Sequence, residues 1–287
     1  MSSQIIKVIN HDCAVGLGST IMRALHCLFY RQNNELFYFN FYNSDYSDKN
    51  VWNAFFEQPF KKEIGTAPVK VEYVDDIWKM GDFFLCYGNK QNKMYGKDQF
   101  ERPDRVGPLR DLWKSHIKIK SDVIQPAESF YLEHFKQKKV LGVHKRGTDQ
   151  FGPNGHARGQ QHLLDEGFYI KTIDQRLSEQ HFDNIFLSTD EQRAVDVLTK
   201  RYGSMLLKQQ TVLCPPNNNE GIHNLYKKTS ENIRNQIGAE VLRDIYLLSK
   251  CDFCLNVKSN VSLASIFMRN DFNYAFIDNH VDYGALG

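Results

Sequence analysis

Blocks of apolar residues alternate with polar stretches along this chain, and the period inside each block separates strands from helices. Residues 5–9 are largely apolar and read as a strand. Gly16-Leu17-Gly18-Ser19 breaks the run. Ile21, Met22, Leu25, Leu28 and Phe29 then recur at helical spacing, which predicts a helix with Ser19 as its N-cap. Residues 36–41 form a second predicted strand. From 42 to 124 the large side chains Trp52, Phe55, Phe56, Phe60, Trp78, Phe83, Phe84 and Trp113 follow no period, which predicts short helices and long loops. The stretch 88–107, rich in Asn, Lys, Gln and Gly, reads as an exposed loop.

The pattern becomes regular in the second half. A helix is predicted over 125–135, with Pro126 early in it, and the domain boundary is placed there, giving domains 1–130 and 131–287. Strands at 140–143, 185–187 and 205–207 alternate with helices at 168–179 and 191–202. After the break Pro215-Pro216-Asn217-Asn218-Asn219, helices at 238–249 and 261–268 alternate with strands at 253–257 and 274–277. Alternation at this spacing predicts an α/β fold with a parallel, doubly wound C-terminal sheet.

Composition narrows the classes. In 287 residues, 41% apolar and 24% charged content describes a soluble globular chain with a real core. A net charge of +2, without a basic block interleaved with aromatics, argues against nucleic acid as partner. The first residues lack the basic start and apolar core of a signal peptide, and no run approaches the roughly 20 apolar residues that span a bilayer. A cytoplasmic location is expected. The 6 cysteines are too sparse for a disulfide framework, and the lone Cys251-Asp-Phe-Cys254 reads as buried thiols. No H-E-x-x-H or D-x-D is present, and Asp75-Asp76 reads as a solvated turn.

Chemistry gathers where predicted strands end. The apolar residues 140–143 give way to His144, Lys145, Arg146, Thr148 and Asp149; the next strand ends in Ser188, Thr189 and Asp190; a later one in Lys258, Ser259 and Asn260. In open α/β sheets such ends form the ligand crevice. Arg146 and Lys145 suit a diphosphate, because a guanidinium can make two parallel bonds to one phosphate. Gly16, Gly18 and Ser19 open a helix whose free N–H groups can hold an anion. Ser259 and Asn260 fit either a ligand contact or a helix cap. Asp244 sits within an apolar helix pattern, either on its exposed face or held at the site by partners.

Taken in order, Val143-His144-Lys145-Arg146-Gly147-Thr148-Asp149, Phe186-Leu187-Ser188-Thr189-Asp190, Gly221-Ile222-His223-Asn224, the segment from Asp244 to Phe253, and Ser259-Asn260-Val261 resemble the motifs of the GDP-fucose-dependent fucosyltransferases. The likeness is greatest to the α1,6-fucosyltransferases of the nodulation-factor and N-glycan core types. Gly16-Leu17-Gly18-Ser19 is similar to their glycine-rich loop. The motifs cover about the last half of the chain together with that loop.

The resemblance implies a GT-B-like fold of two Rossmann-like domains, the N-terminal one on the acceptor side and the C-terminal one binding the nucleotide sugar. It implies metal-independent, inverting transfer of L-fucose from GDP-fucose to a glycan or lipid-linked glycan, as in polysaccharide biosynthesis, with no cofactor and a peripheral membrane position where the acceptor is lipid-linked. In it, His144 positions the nucleotide, Arg146 holds the diphosphate, and Asp190, His223, Asn224, Asp244, Ser259 and Asn260 surround the donor. The core α1,6 enzymes have a second arginine where Gly147 stands; Lys145 or Arg158 is the expected substitute. Gln150 stands where a lysine is common, and Asn154 where those enzymes have a carboxylate base, so Asp149 and His156 are the candidate bases. Two other readings remain: the same fold with another nucleotide deoxysugar, and a noncatalytic nucleotide- or glycan-binding protein.

Overall fold

The computed structural model describes residues 5–12, 16–61, 70–80, 103–146, 165–216, 221–257, 259–271 and 273–277. Among these, two parallel sheets are built. The first has the order β2-β1-β3, from β1 (Ile5–Asp12), β2 (Glu35–Tyr42) and β3 (Lys70–Val74). The second has the order β6-β5-β4-β7-β8, from β4 (Val140–His144), β5 (Asn184–Ser188), β6 (Leu206–Leu207), β7 (Phe253–Asn256) and β8 (Tyr274–Phe276). Every strand pairing is parallel, so helices must cover the faces.

They do so with α1 (Leu17–Phe29), α2 (Val51–Phe55), α3 (Pro103–His116), α4 (Ser121–His134), α5 (Glu166–Glu179), α6 (Gln192–Tyr202), α7 (Ile222–Leu225), α8 (Glu231–Lys250) and α9 (Asn260–Met268). β4 is buried on both faces, as its unbroken apolar run requires. Leu141 and Val143 face a core shared with Tyr169, Ile173, Ile185 and Leu198. Val140 faces a larger core that runs on through Leu242, Ile245 and Ile266 to Ile21, Leu25 and Phe39 of the first sheet's layer. That continuity joins the two halves: α9 packs on α1 and α3, and α4 packs on α8.

Several elements depart from expectation for identifiable reasons. α1 begins at Leu17 with Gly16 as N-cap, so Ser19 lies in the first turn instead of capping it. α4 begins at Ser121, with Pro126 inside the helix and the Val123 and Ile124 N–H groups bonded back to the Lys120 carbonyl. Position 130 falls within this helix. Residues 103–107 of the expected loop belong to α3, whose Val106, Leu109 and Trp113 are buried at helical spacing; 88–102 lie outside the described residues. α8 extends two turns upstream of Gly238. Its early polar residues are spent on the loop after β2: Ser47 Oγ and the Asp48 N–H donate to Glu231 at 2.9 Å, and Arg234 donates to Asp48 Oδ1 at 2.6 Å and to the Ser44 carbonyl. Gly238 is needed because Phe55 packs directly on it; a Cβ there would lie 2.4 Å from Phe55 Cζ.

Cys251 and Cys254 are buried thiols, as expected. Asp75 accepts from Asn10 Nδ2 at 2.8 Å, and Asp76 pairs with Lys79, so this acidic pair stays at the surface. Among the described residues, no helix is long and apolar enough to cross a membrane.

Candidate functional site

The C-terminal edges of the two sheets and the N-termini of α1 and α9 enclose a cavity of about 430 Å³. From the first half of the chain it takes Gly16, Gly18 and Ser19, together with Asp45 and Tyr46 from the loop after β2. From the second half come His144, Lys145 and Arg146 at the end of β4, and Ser188, Thr189 and Asp190 at the end of β5. Asn224, Asp244, Ser259 and Asn260 of the predicted set line it as well. His223 lies on α7. Asp149, His156 and Arg158 lie outside the described residues.

Two helix starts converge here. Gly18, in the first turn of α1, packs on the backbone of Asn260 and Val261 in the first turn of α9. Each start presents the positive end of a helix dipole, so together they favour an anion. Ser19 is 3% exposed, and its Oγ meets no hydrogen-bond partner among the described residues. A buried hydroxyl lining a cavity without a partner is costly unless a ligand or water completes it. Of the two roles read from the sequence for Ser259, the structure has the helix cap. Its Oγ accepts from the Ser262 N–H at 3.1 Å as the N-cap of α9, and the residue also lines the cavity.

A second feature is a chain of polar groups beneath the cavity. Ser188 Oγ donates to Asp244 Oδ2 at 2.8 Å and stands 3.3 Å from His144 Nδ1. Gln209 donates its amide to Asp244 Oδ1. Asp244 is therefore held at the site by partners, the alternative that periodicity had left open. Burial pushes its carboxyl up to about 6, against the hydrogen bonds from Gln209 and Ser188 and the nearby charge of Lys208. His144 moves the other way. Burial and then the Arg146 guanidinium lower its imidazole to about 3, so it is neutral at pH 7. Its Nε2 is buried without a partner among the described residues.

Lys145 requires a correction. The residue lines the cavity, but its side chain is 1% exposed and its ammonium bonds to Glu191 and lies 3.7 Å from Glu166 Oε1. Alternation along the strand end sends Lys145 to the opposite side from its neighbours. With its ammonium fully buried and bonded to Glu191, Lys145 has no exposed charge to offer a ligand, so it is no substitute for a second diphosphate-binding arginine. Asp45, Tyr46, Gln209 and Lys227 were missed, although Asp45, Tyr46 and Gln209 all follow strand ends. The rule applied to β4 and β5, extended to β2 and to the two-residue strand β6, would have found them.

Two parallel α/β halves meeting over a cavity edged by strand ends constitute a GT-B-like fold, the architecture expected from the sequence. No family model matches the chain, and no curated protein matches it, but solved structures do. Fucosyltransferase NodZ from Bradyrhizobium superposes with a TM-score of 0.56 at 15% identity, covering 94% of this chain and 93% of that one. NodZ alpha-1,6-fucosyltransferase co-crystallized with GDP gives 0.53 at 15% identity over 94% and 93%. The same enzyme soaked with GDP-fucose gives 0.51 at 16% identity over 93% of both chains. The chain has the fold of these fucosyltransferases.

Proposed function

We propose that this protein is a glycosyltransferase that moves L-fucose from GDP-fucose to a hydroxyl of a glycan or lipid-linked glycan, inverting the anomeric centre and using no metal ion. The observation that carries the reading is the meeting of the α1 and α9 helix starts beside Arg146, in a cavity bounded by both halves of the fold. That arrangement concentrates positive potential where the diphosphate of a nucleotide sugar has to be held. The half built on β2-β1-β3, within residues 1–130, would face the acceptor, and residues 131–287 would hold most of the donor.

In the reaction, an acceptor oxygen forms its bond to the anomeric carbon on the face opposite GDP. The bond from that carbon to the β-phosphate oxygen breaks, its electron pair leaving with GDP. Arg146 and the helix starts favour the charge that grows on the diphosphate, the place where fixed positive groups accelerate such a step most. The acceptor's proton passes to a base in the segment between β4 and α5, for which Asp149 and His156 are the candidates. Surface polysaccharide assembly on the cytoplasmic side of a membrane suits such an activity.

The reading is tested by incubating the protein with labelled nucleotide sugars in EDTA and measuring released sugar. Release from GDP-fucose alone is expected. Release from a different nucleotide deoxysugar would overturn the choice of donor, and GDP binding with neither transfer nor hydrolysis would overturn catalysis.

A further inference from the structure

Among the described residues, the cations lining the cavity are Lys145, Arg146 and Lys227. Their circumstances differ. The Lys145 ammonium is buried between Glu191 and Glu166. Lys227 lies in the turn after α7, where its N–H bonds to the Asn224 carbonyl, and its side chain is half-exposed. Its Nζ stands 3.2 Å from Oδ1 of Asp45, a carboxylate only 4% exposed that belongs to the other half of the molecule.

The backbone around Asp45 is itself held firmly. Its N–H donates to Asn43 Oδ1 at 3.1 Å. On either side of it, the Ser44 carbonyl accepts from Arg234, and Ser47 and Asp48 are bonded to Glu231. A fixed, buried carboxylate at the edge of an anion site would repel the ligand unless a cation stood in front of it. Lys227 is that cation. A lysine held in place beforehand also loses less rotamer freedom when an anion arrives.

We propose that Lys227 is a second phosphate-facing cation of this cavity and that Asp45 is the positioning residue that holds it there, the ligand group being the diphosphate of a nucleoside diphosphate. The inference rests on the nucleotide-sugar reading above. It has positive charge for the diphosphate come from two separate elements, Arg146 at the end of β4 and Lys227 after α7, with the Lys227 ammonium held from the first half of the chain. This arrangement also answers the presence of Gly147 directly after Arg146, which leaves the strand end with one arginine.

The test is calorimetric titration of GDP and competitive titration of guanosine on the full chain, as wild type and as Lys227→Ala, Lys227→Arg, Asp45→Asn and Lys227→Ala combined with Asp45→Asn. Lys227→Ala should bind GDP about tenfold more weakly with guanosine unchanged, the size expected for one charge-assisted bond. Lys227→Arg should keep most of the GDP affinity, and Lys227→Ala combined with Asp45→Asn should cost less GDP affinity relative to Asp45→Asn than Lys227→Ala costs relative to wild type, again with guanosine unchanged. A GDP-to-guanosine affinity ratio in Lys227→Ala equal to that of wild type would overturn the proposal, as would equal weakening of both ligands. Wild type preferring ADP or UDP would overturn the guanine-nucleotide reading alone, and the ratio would then be taken with that nucleotide and its nucleoside. Wild type binding no nucleoside diphosphate would overturn both.

Discussion

Gly18 lies against Asn260 so closely that a Cβ at residue 18 would stand 3.0 Å from the Asn260 carbonyl carbon and 3.1 Å from the Val261 nitrogen. Backbone, not a flexible side-chain tip, occupies the space, so any larger residue has to part the two helices. The glycine is what lets the two helix starts approach this closely.

Gly18→Ala is therefore expected to cost about 1–3 kcal/mol of stability, the usual range for overpacking, and to weaken GDP binding by separating the two helix starts. Thermal melting with and without GDP checks both. GDP affinity equal to that of wild type would mean that the contact serves packing alone.

On the proposed activity, Arg146→Ala is expected to lower transfer from GDP-fucose by about 10²–10³-fold, as for loss of one fixed donor to a developing anion. Arg146 is half-buried at a strand end, so the melting temperature should change little. Transfer within a few-fold of wild type would remove Arg146 from the mechanism.

Asp244 sets one pH dependence. Its folded-state pKa is raised to about 6, so the folded state binds this proton more tightly than the unfolded chain does. Stability from the protonated form is lost as pH rises from about 4 through 6. Asp244→Asn abolishes that loss. Relative to wild type, the variant should gain up to about 3 kcal/mol between pH 4 and 7, since each tenfold difference in proton affinity between the folded and unfolded states is worth roughly 1.4 kcal/mol. Urea denaturation at the two pH values measures it, and parallel pH profiles would contradict the assignment.

His144 sets the opposite one. Its folded pKa is depressed to about 3, so stability is full above about 6.5 and is lost as pH falls toward 3. Between pH 6.5 and 5 the wild type should lose about 2 kcal/mol more than His144→Gln. Urea denaturation across that interval gives the difference, and equal losses would show that the imidazole is not held neutral.

The C-terminal sheet was legible because its signals are local. Val140 to Val143 is apolar throughout, as a strand covered on both faces requires, and helices of ordinary length separate it from its neighbours. Site residues at strand ends followed from that topology, and His144, Arg146, Asp190, Asp244 and Ser259 all reach one cavity. What escaped was set by tertiary contact. The start of α8 is polar because Glu231 and Arg234 bond to the loop after β2, and Gly238 marks the place where Phe55 packs instead of a helix end. Strand alternation could have turned Lys145 away from its neighbours, but its partners Glu166 and Glu191 lie too far along the chain for the local pattern to name them. α3 was legible but missed: Val106, Leu109 and Trp113 carry its period, hidden behind the polar stretch that precedes them.

Ser188 has a single hydroxyl hydrogen, and it points to Asp244. Toward His144 this oxygen can then only receive, so the imidazole must carry its hydrogen on Nδ1, which leaves Nε2 as a bare lone pair. The tautomer is set by a carboxylate two residues removed through the hydroxyl. Protonating Asp244 would let Ser188 turn its hydrogen elsewhere and free the ring to switch. In the state that prevails at neutral pH, His144 is a hydrogen-bond acceptor, so a ligand that engages it has to bring an N–H or O–H of its own, and a ligand offering only acceptors in that position is turned away.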